Sequence, residues 1–177
     1  HNPGQRELPF CIHTRYSTQQ AILEDIVASL YAQGMRKLII ISGHGGNNFK
    51  GMIRDLAFVY PDFLIIATDW FSIVSPKGYF EAEIDDHAGE SETSVMMHYH
   101  PELVNLDEAG DGKSKPFAIP SLNEKVGWAP RHWDKATIDS GVGNPRKASA
   151  EKGAHYVKPV IEKLAQLFTE VGQGELY

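Results

Sequence analysis

Apolar positions recur along the chain in two rhythms. Ile22, Leu23, Ile26, Val27 and Leu30 repeat at helical spacing and predict an amphipathic helix. Ser17 or Thr18 is placed to cap its start, and Gly34 to stop it. Lys37–Ser42 follows, short, β-branched and apolar on both faces, as buried parallel strands are. A Gly-rich turn over 43–48 leads into Met52, Ile53, Leu56, Ala57 and Tyr60, a second helical pattern ended by Pro61. Residues 62–68 then read as a second buried strand.

Beyond that point the pattern breaks up. Residues 72–86 are irregular and are expected to cover the sheet end. Glu90–Tyr99 reads as a helix with Pro101 after it. Residues 105–145 are rich in Gly, Pro, Asp and Lys and read as a long functional loop region with room for short strands. Residues 147–171 form one closing helix, with a kink expected at Pro159.

Strand, helix and strand in this order predict a right-handed parallel crossover. The fold class is α/β, read as a three-layer α/β/α domain with a mainly parallel sheet, one domain over 1–177. Two core strands are too few for such a sheet. Further strands are expected from 1–16, from 110–140 or from sequence outside these 177 residues.

Composition narrows the function classes. Hydrophobic residues make up 42% and charged residues 23%, ordinary for a globular domain. A net charge of -6 argues against a general nucleic-acid binder, which carries a basic face. No apolar run approaches the roughly 18 residues of a membrane span. Cys11 is the single cysteine, so there is no internal disulfide and no cysteine zinc cluster. A reducing, cytoplasmic setting is the expectation. The eight histidines matter more, because imidazole serves both as a neutral-pH proton carrier and as a metal ligand.

Two segments concentrate chemistry. Ligands of open α/β sheets sit beyond the carboxyl ends of the strands, which is where His44 falls. Gly43, Gly45 and Gly46 let the backbone turn and approach a ligand, and Asn47 opens toward a helix N-terminus with free N–H groups. His44 is then a metal ligand beside an oxyanion site, or a donor in an anion cradle. A third reading gives the glycines only a tight turn. The second segment packs Asp85, Asp86, His87, Glu90 and Glu92 into eight positions. Glu92 in a first helical turn is favoured by the dipole and held rigidly enough to be a metal ligand or base. His87, just before the helix, suits a general acid/base that hands a proton to a leaving amine. The alternative is a solvated acidic helix start, with Asp86 or Ser91 as its cap. Trp128, Arg131, His132 and Trp133 suit a pocket lid, a subunit contact or surface packing. Asp139 and Gly141 lie on a loop able to approach a site.

Together these segments resemble the creatininase (creatinine amidohydrolase) family. Gly43-His44 with Asn47, and His87 followed by Glu92-Thr93-Ser94, match its paired motifs. Residues 143–153, running into the last helix, and the opening His1-Asn2-Pro3-Gly4 resemble further family segments. The resemblance implies an α/β fold and a centre of two divalent ions, zinc or manganese with iron an option. It makes His44 and Glu92 metal ligands and His87 the proton donor at the scissile C–N bond. It also implies a homo-oligomer and a small amide substrate. Family members take further ligands from an N-terminal Glu-x-His and a following Asp, which nothing here matches. The expectation is therefore that the chain begins inside the domain. Creatinine-hydrolysing members carry Glu at the position of Gly46 and Trp at that of Glu83, and Trp70 matches another substrate-side Trp. These departures weaken creatinine itself as substrate, and other members act on formamides or small peptides. The expected activity is metal-dependent cleavage of a C–N bond in a small cyclic amide or formamide. A metal-free binding or structural subunit is the alternative from another class, and a phosphate-ligand binder a third.

Overall fold

A computed structural model describes residues 3–175; His1 and Asn2 of the opening signature lie outside the described residues. The chain packs as two compact units, 12–73 with the chain from 162 onward, and 3–11 with 74–161.

In the first unit, α1 (Tyr16–Ala32) leads into β1 (Lys37–Ser42), α2 (Lys50–Val59) and β2 (Leu64–Asp69). The N-cap of α1 is Arg15, not Ser17 or Thr18, which lie inside the first turn. The Arg15 carbonyl accepts from the Thr18 and Gln19 N–H groups, and no side chain caps the helix. Its C-terminus ends as the sequence predicts. Gly34 turns left-handed at φ 87°, its N–H donates to the Tyr31 carbonyl, and the Met35 N–H donates to the Leu30 carbonyl. This is the paired closure that satisfies the last helical carbonyls.

β1 and β2 pair in parallel, from Lys37 opposite Leu64 to Ser42 opposite Asp69. The helix between them makes this a parallel strand–helix–strand crossover. Leu23 and Val27 of α1, Met52 and Leu56 of α2, and Phe63 and Ile65 form the buried core. Leu38 and Ile40 face it. Ile41, on the opposite face of β1, is 51% exposed. The strand is therefore not covered on both sides, as its apolar run suggested, since the core forms on the face that meets α1 and α2. Lys37 Nζ donates to the carbonyls of Val171 and Gly174, satisfying acceptors at the end of the last helix.

In the second unit, β3 (Asp85–His87) pairs antiparallel with β4 (Val142–Gly143), with a bulge between Asp85 and His87. These strands lie at the end of the irregular stretch and of the long loop, not in 1–16 or 110–140. α3 (Glu90–Tyr99) follows β3 at once. Two one-turn helices, α4 (Pro120–Asn123) and α5 (Trp133–Ala136), punctuate the loop region. The closing α6 (Ala150–Gln173) runs on through Pro159. Trp133, Val142, Ala148, Tyr156, Val157 and Val160 are buried. A Cβ on Gly153 would stand 2.0 Å from the Ser94 carbonyl oxygen, so only glycine permits this approach of α6 to α3. No described helix is long and apolar enough to cross a membrane.

Candidate active site

The first cluster sits where β1 ends. Ser42 is buried, and its hydroxyl donates to the His44 carbonyl at 3.2 Å. Asn47 Nδ2 donates to the Ser42 hydroxyl at 3.3 Å, and the Asn47 N–H donates to the His44 carbonyl at 3.1 Å. Asn47 thus fastens the turn and lines a cavity of about 300 Å³ with Asp69 and Lys50. The Gly46 N–H donates to His44 Nδ1 at 2.9 Å. That bond serves the imidazole, so the Gly46 amide does not point to an open oxyanion position. It also leaves the proton of a neutral His44 on Nε2, because Nδ1 is the acceptor. Neither Gly43 nor Gly45 is left-handed, and a Cβ on Gly43 would meet nothing within 4 Å. These two glycines leave room above the turn; the backbone does not need them to make it.

Trp70 starts a single 3-10 turn directly after β2, at the same carboxyl edge of the parallel pair. Its ring stands edge-on to Phe71, with centroids 6.0 Å apart. Phe71 in turn lies beside Gly45, where a Cβ would meet its ring at 3.7 Å. The aromatic pair and the His44 turn therefore share one edge of the sheet.

The second cluster is the start of α3. Glu92 Oε2 accepts the Ala88 N–H at 2.7 Å and lies 3.8 Å from His87 Nδ1. That separation is ion-pair range, too long for a hydrogen bond. Ala88 is held left-handed at φ 49°, a conformation costly for a residue with a Cβ. The acceptor at the helix start is Asp85, which takes the Ser91 N–H at 3.1 Å, in place of the expected Asp86 or Ser91. Asp86 instead pairs with Arg131 at 2.7 Å.

Trp133 is 6% exposed, and its ring stands edge-on to His87 with centroids 5.0 Å apart. The Arg131 guanidinium lies over the Trp133 ring, 4.8 Å from its centroid. Trp133 is thus a buried support of His87. Glu92 also lines a cavity of about 370 Å³ with Met96, Leu103, Leu106 and Asp139. Asp139 accepts the N–H groups of Gly110 and Gly141, which fixes its loop at the cavity wall.

Behind Glu92, Glu90 is fully buried. Its carboxylate accepts the Glu81 and Ala82 N–H groups and Lys152 Nζ at 2.5 Å. Burial raises its pKa, but the Lys152 ammonium and the two backbone donors outweigh that and hold it below the usual range. Lys147 and Lys152 together pull exposed Glu81 down to about 2. Nothing in the sequence pattern separates Glu90 from its acidic neighbours, because its burial depends on α6, some sixty residues away in the chain.

His44 and Glu92 carry donors that zinc, manganese and iron all accept. Among the described residues, however, no three His, Cys, Asp or Glu side chains gather as a metal site. The engagement of His44 Nδ1 with Gly46 also runs against metal binding through Nε2, which needs the proton on Nδ1. The described residues do not by themselves make a two-metal centre.

An α/β protein with an imidazole on a strand-end turn and a His–Glu pair at a helix start has the frame of a ligand-binding α/β domain. The chain belongs to the creatininase family: the family's sequence model, described as creatinine amidohydrolase, matches residues 1–168. A crystal structure of a Bacteroides fragilis protein, provisionally named a creatinine amidohydrolase, is 82% identical with a TM-score of 0.96, covering 100% of this chain and 70% of that one. A zinc–zinc form of a creatininase variant shares the fold at 22% identity and a TM-score of 0.72, covering 93% of this chain and 67% of that one. A mycofactocin precursor peptide peptidase of Mycobacterium ulcerans is 31% identical over 131 residues, covering 71% of this chain and 45% of that protein. The chain spans about half the length of such curated relatives.

Proposed function

We propose that the protein is a metal-dependent hydrolase that cleaves a C–N bond in a small cyclic amide or formamide. The observation that carries this reading is the His87–Glu92 pair at the start of α3, with Glu92 lining the cavity of about 370 Å³. In this reading His87 delivers a proton to the departing nitrogen, and Trp133 keeps its ring in place. Glu92 and His44 would each act as a metal ligand for the divalent ions the family resemblance implies, zinc, manganese or iron. Divalent ions bound there supply Lewis acidity toward the amide carbonyl. The Gly45 N–H is the remaining backbone donor for the oxyanion, with Gly46 given to His44. Asn47 holds the turn, and Trp70 forms an aromatic wall on the substrate side. The protein works as a cytoplasmic homo-oligomer.

A second reading is favoured by the tautomer that Gly46 imposes on His44 and by the lack of a three-residue ligand cluster among the described residues. It makes the protein a metal-free binding subunit that keeps the family fold. The two readings part in one assay. The purified full-length protein is incubated with creatinine, with an N-formyl amine and with a short peptide, and the ring-opened product of the first or the amine released from the others is followed by NMR. The hydrolase reading expects turnover of the cyclic amide or the formamide that stops on chelation and returns with zinc or manganese. Absence of turnover with any added metal favours the binding reading.

A further inference from the structure

A cavity of about 700 Å³ in the loop region is lined by Lys115, Lys125, Arg131, His132 and Lys135, with no carboxylate among its lining residues. This concentration of four permanent cations stands out in a chain of net charge -6. None of the three lysines makes an ion pair among the described residues. Arg131 Nη2 is held by Asp86 at 2.7 Å, while Arg131 Nη1 is buried with no hydrogen-bond partner. The Arg131 side chain as a whole lines the cavity and is 32% exposed, so part of its guanidinium is open to an oxyanion.

The cavity walls are fastened. The Lys115 N–H donates to the Ala136 carbonyl at 2.7 Å. Asn123 clamps Phe117 from both sides, accepting its N–H and donating to its carbonyl. Phe117 and Leu122 add an apolar floor to the cationic wall. The volume is that of small-molecule sites. A phosphate or carboxylate meets the cations while an apolar body lies on the floor.

We propose that this cavity is a binding site for a small anion with an apolar body, its phosphate or carboxylate held by Arg131, Lys115 and Lys135. The site uses none of the residues assigned to hydrolysis.

Calorimetric titration of the full-length protein tests it, with phenyl phosphate, benzoate, inorganic phosphate and neutral benzamide as probes. Phenyl phosphate or benzoate binds saturably, which also separates the two anion sources. Inorganic phosphate binds more weakly than phenyl phosphate, benzamide does not bind, and added salt weakens the anions. Lys115→Gln and Lys135→Gln, at exposed positions, each lower the anion affinity by roughly threefold, as loss of one exposed ion pair does. Saturable binding of neither anion overturns the proposal, as does unchanged affinity in both lysine variants. A change of oligomeric mass in the lysine variants also overturns it, since the cavity is then a contact between copies of the chain.

Discussion

The imidazole of His87 stands edge-on to the indole of Trp133, with ring centroids 5.0 Å apart and an interplanar angle of 68°. His87 is fixed by β3 and Trp133 by α5, so the contact joins a strand to a helix 46 positions later. Trp133 buries nearly all of its surface, yet its Nε1 has no hydrogen-bond partner. The ring is there for its face and edge. Trp133→Phe keeps an aromatic ring and removes an unsatisfied N–H, so thermal stability changes little. Trp133→Leu removes the ring against His87 and costs about 2 kcal/mol or more of stability. In the hydrolase reading it also displaces the basic or acidic limb of the pH–rate profile, which Trp133→Phe does not. Equal profiles for Leu and Phe contradict a positioning role.

Lys152 is the main partner of buried Glu90, and it also meets Glu81. Removing one member of a buried pair leaves the other uncompensated. Lys152→Met is expected to cost about 3 kcal/mol, toward the low end because Lys152 is itself part-exposed. Lys147→Met, at an exposed pair, costs about 1 kcal/mol or less. Urea unfolding of the two variants checks the order.

The same network sets an acid limit. Glu81 titrates near 2 in the fold against an ordinary value of 4.5, and Glu90 is lowered as well. A depressed carboxylate contributes stability in full above its unfolded pKa and loses it as pH falls through the folded one. The contribution is therefore complete above pH 4.5 and fades between 4.5 and about 2. Melting temperature measured against pH falls in that window, and Glu81→Gln makes the fall shallower.

Gly153 lies where α6 meets α3. Alanine there gains about 1 kcal/mol of helix propensity. Its Cβ, however, would stand 2.0 Å from the Ser94 carbonyl oxygen, which is backbone and cannot rotate away. Overpacking of this kind costs about 1–3 kcal/mol and more when the neighbour is rigid. Gly153→Ala is expected to lower the melting temperature, and a neutral or higher value shows that the helices separate freely.

Local pattern was enough for the elements that carry their own signal. β1 and α3 lie where the apolar run and the acidic helix start place them, and Gly34 ends α1 as its freedom allows. β2 begins at Leu64, two residues after the predicted start at 62, because Phe63 turns into the core before pairing starts. The supports of the candidate site were hidden for a different reason. Trp133 looked like loop surface, and Glu90 like one acid among several. Their burial is created by partners far along the chain, His87 for one and Lys152 for the other. The role of Gly46 was hidden too, since a glycine in a turn does not announce that its N–H serves His44 Nδ1. The family motifs placed His44, His87 and Glu92 on the strand end and helix start that the structure shows, but motif spacing carries no tautomer.

The central claim gives His44 and His87 different roles, one toward metal and one toward the proton. Metal content and turnover of His44→Ala and His87→Ala, measured on the full-length protein, test it most directly. The account expects His44→Ala to lose bound metal. It expects His87→Ala to keep its metal and lose about a hundredfold or more in turnover. Equal metal loss from both variants contradicts the account.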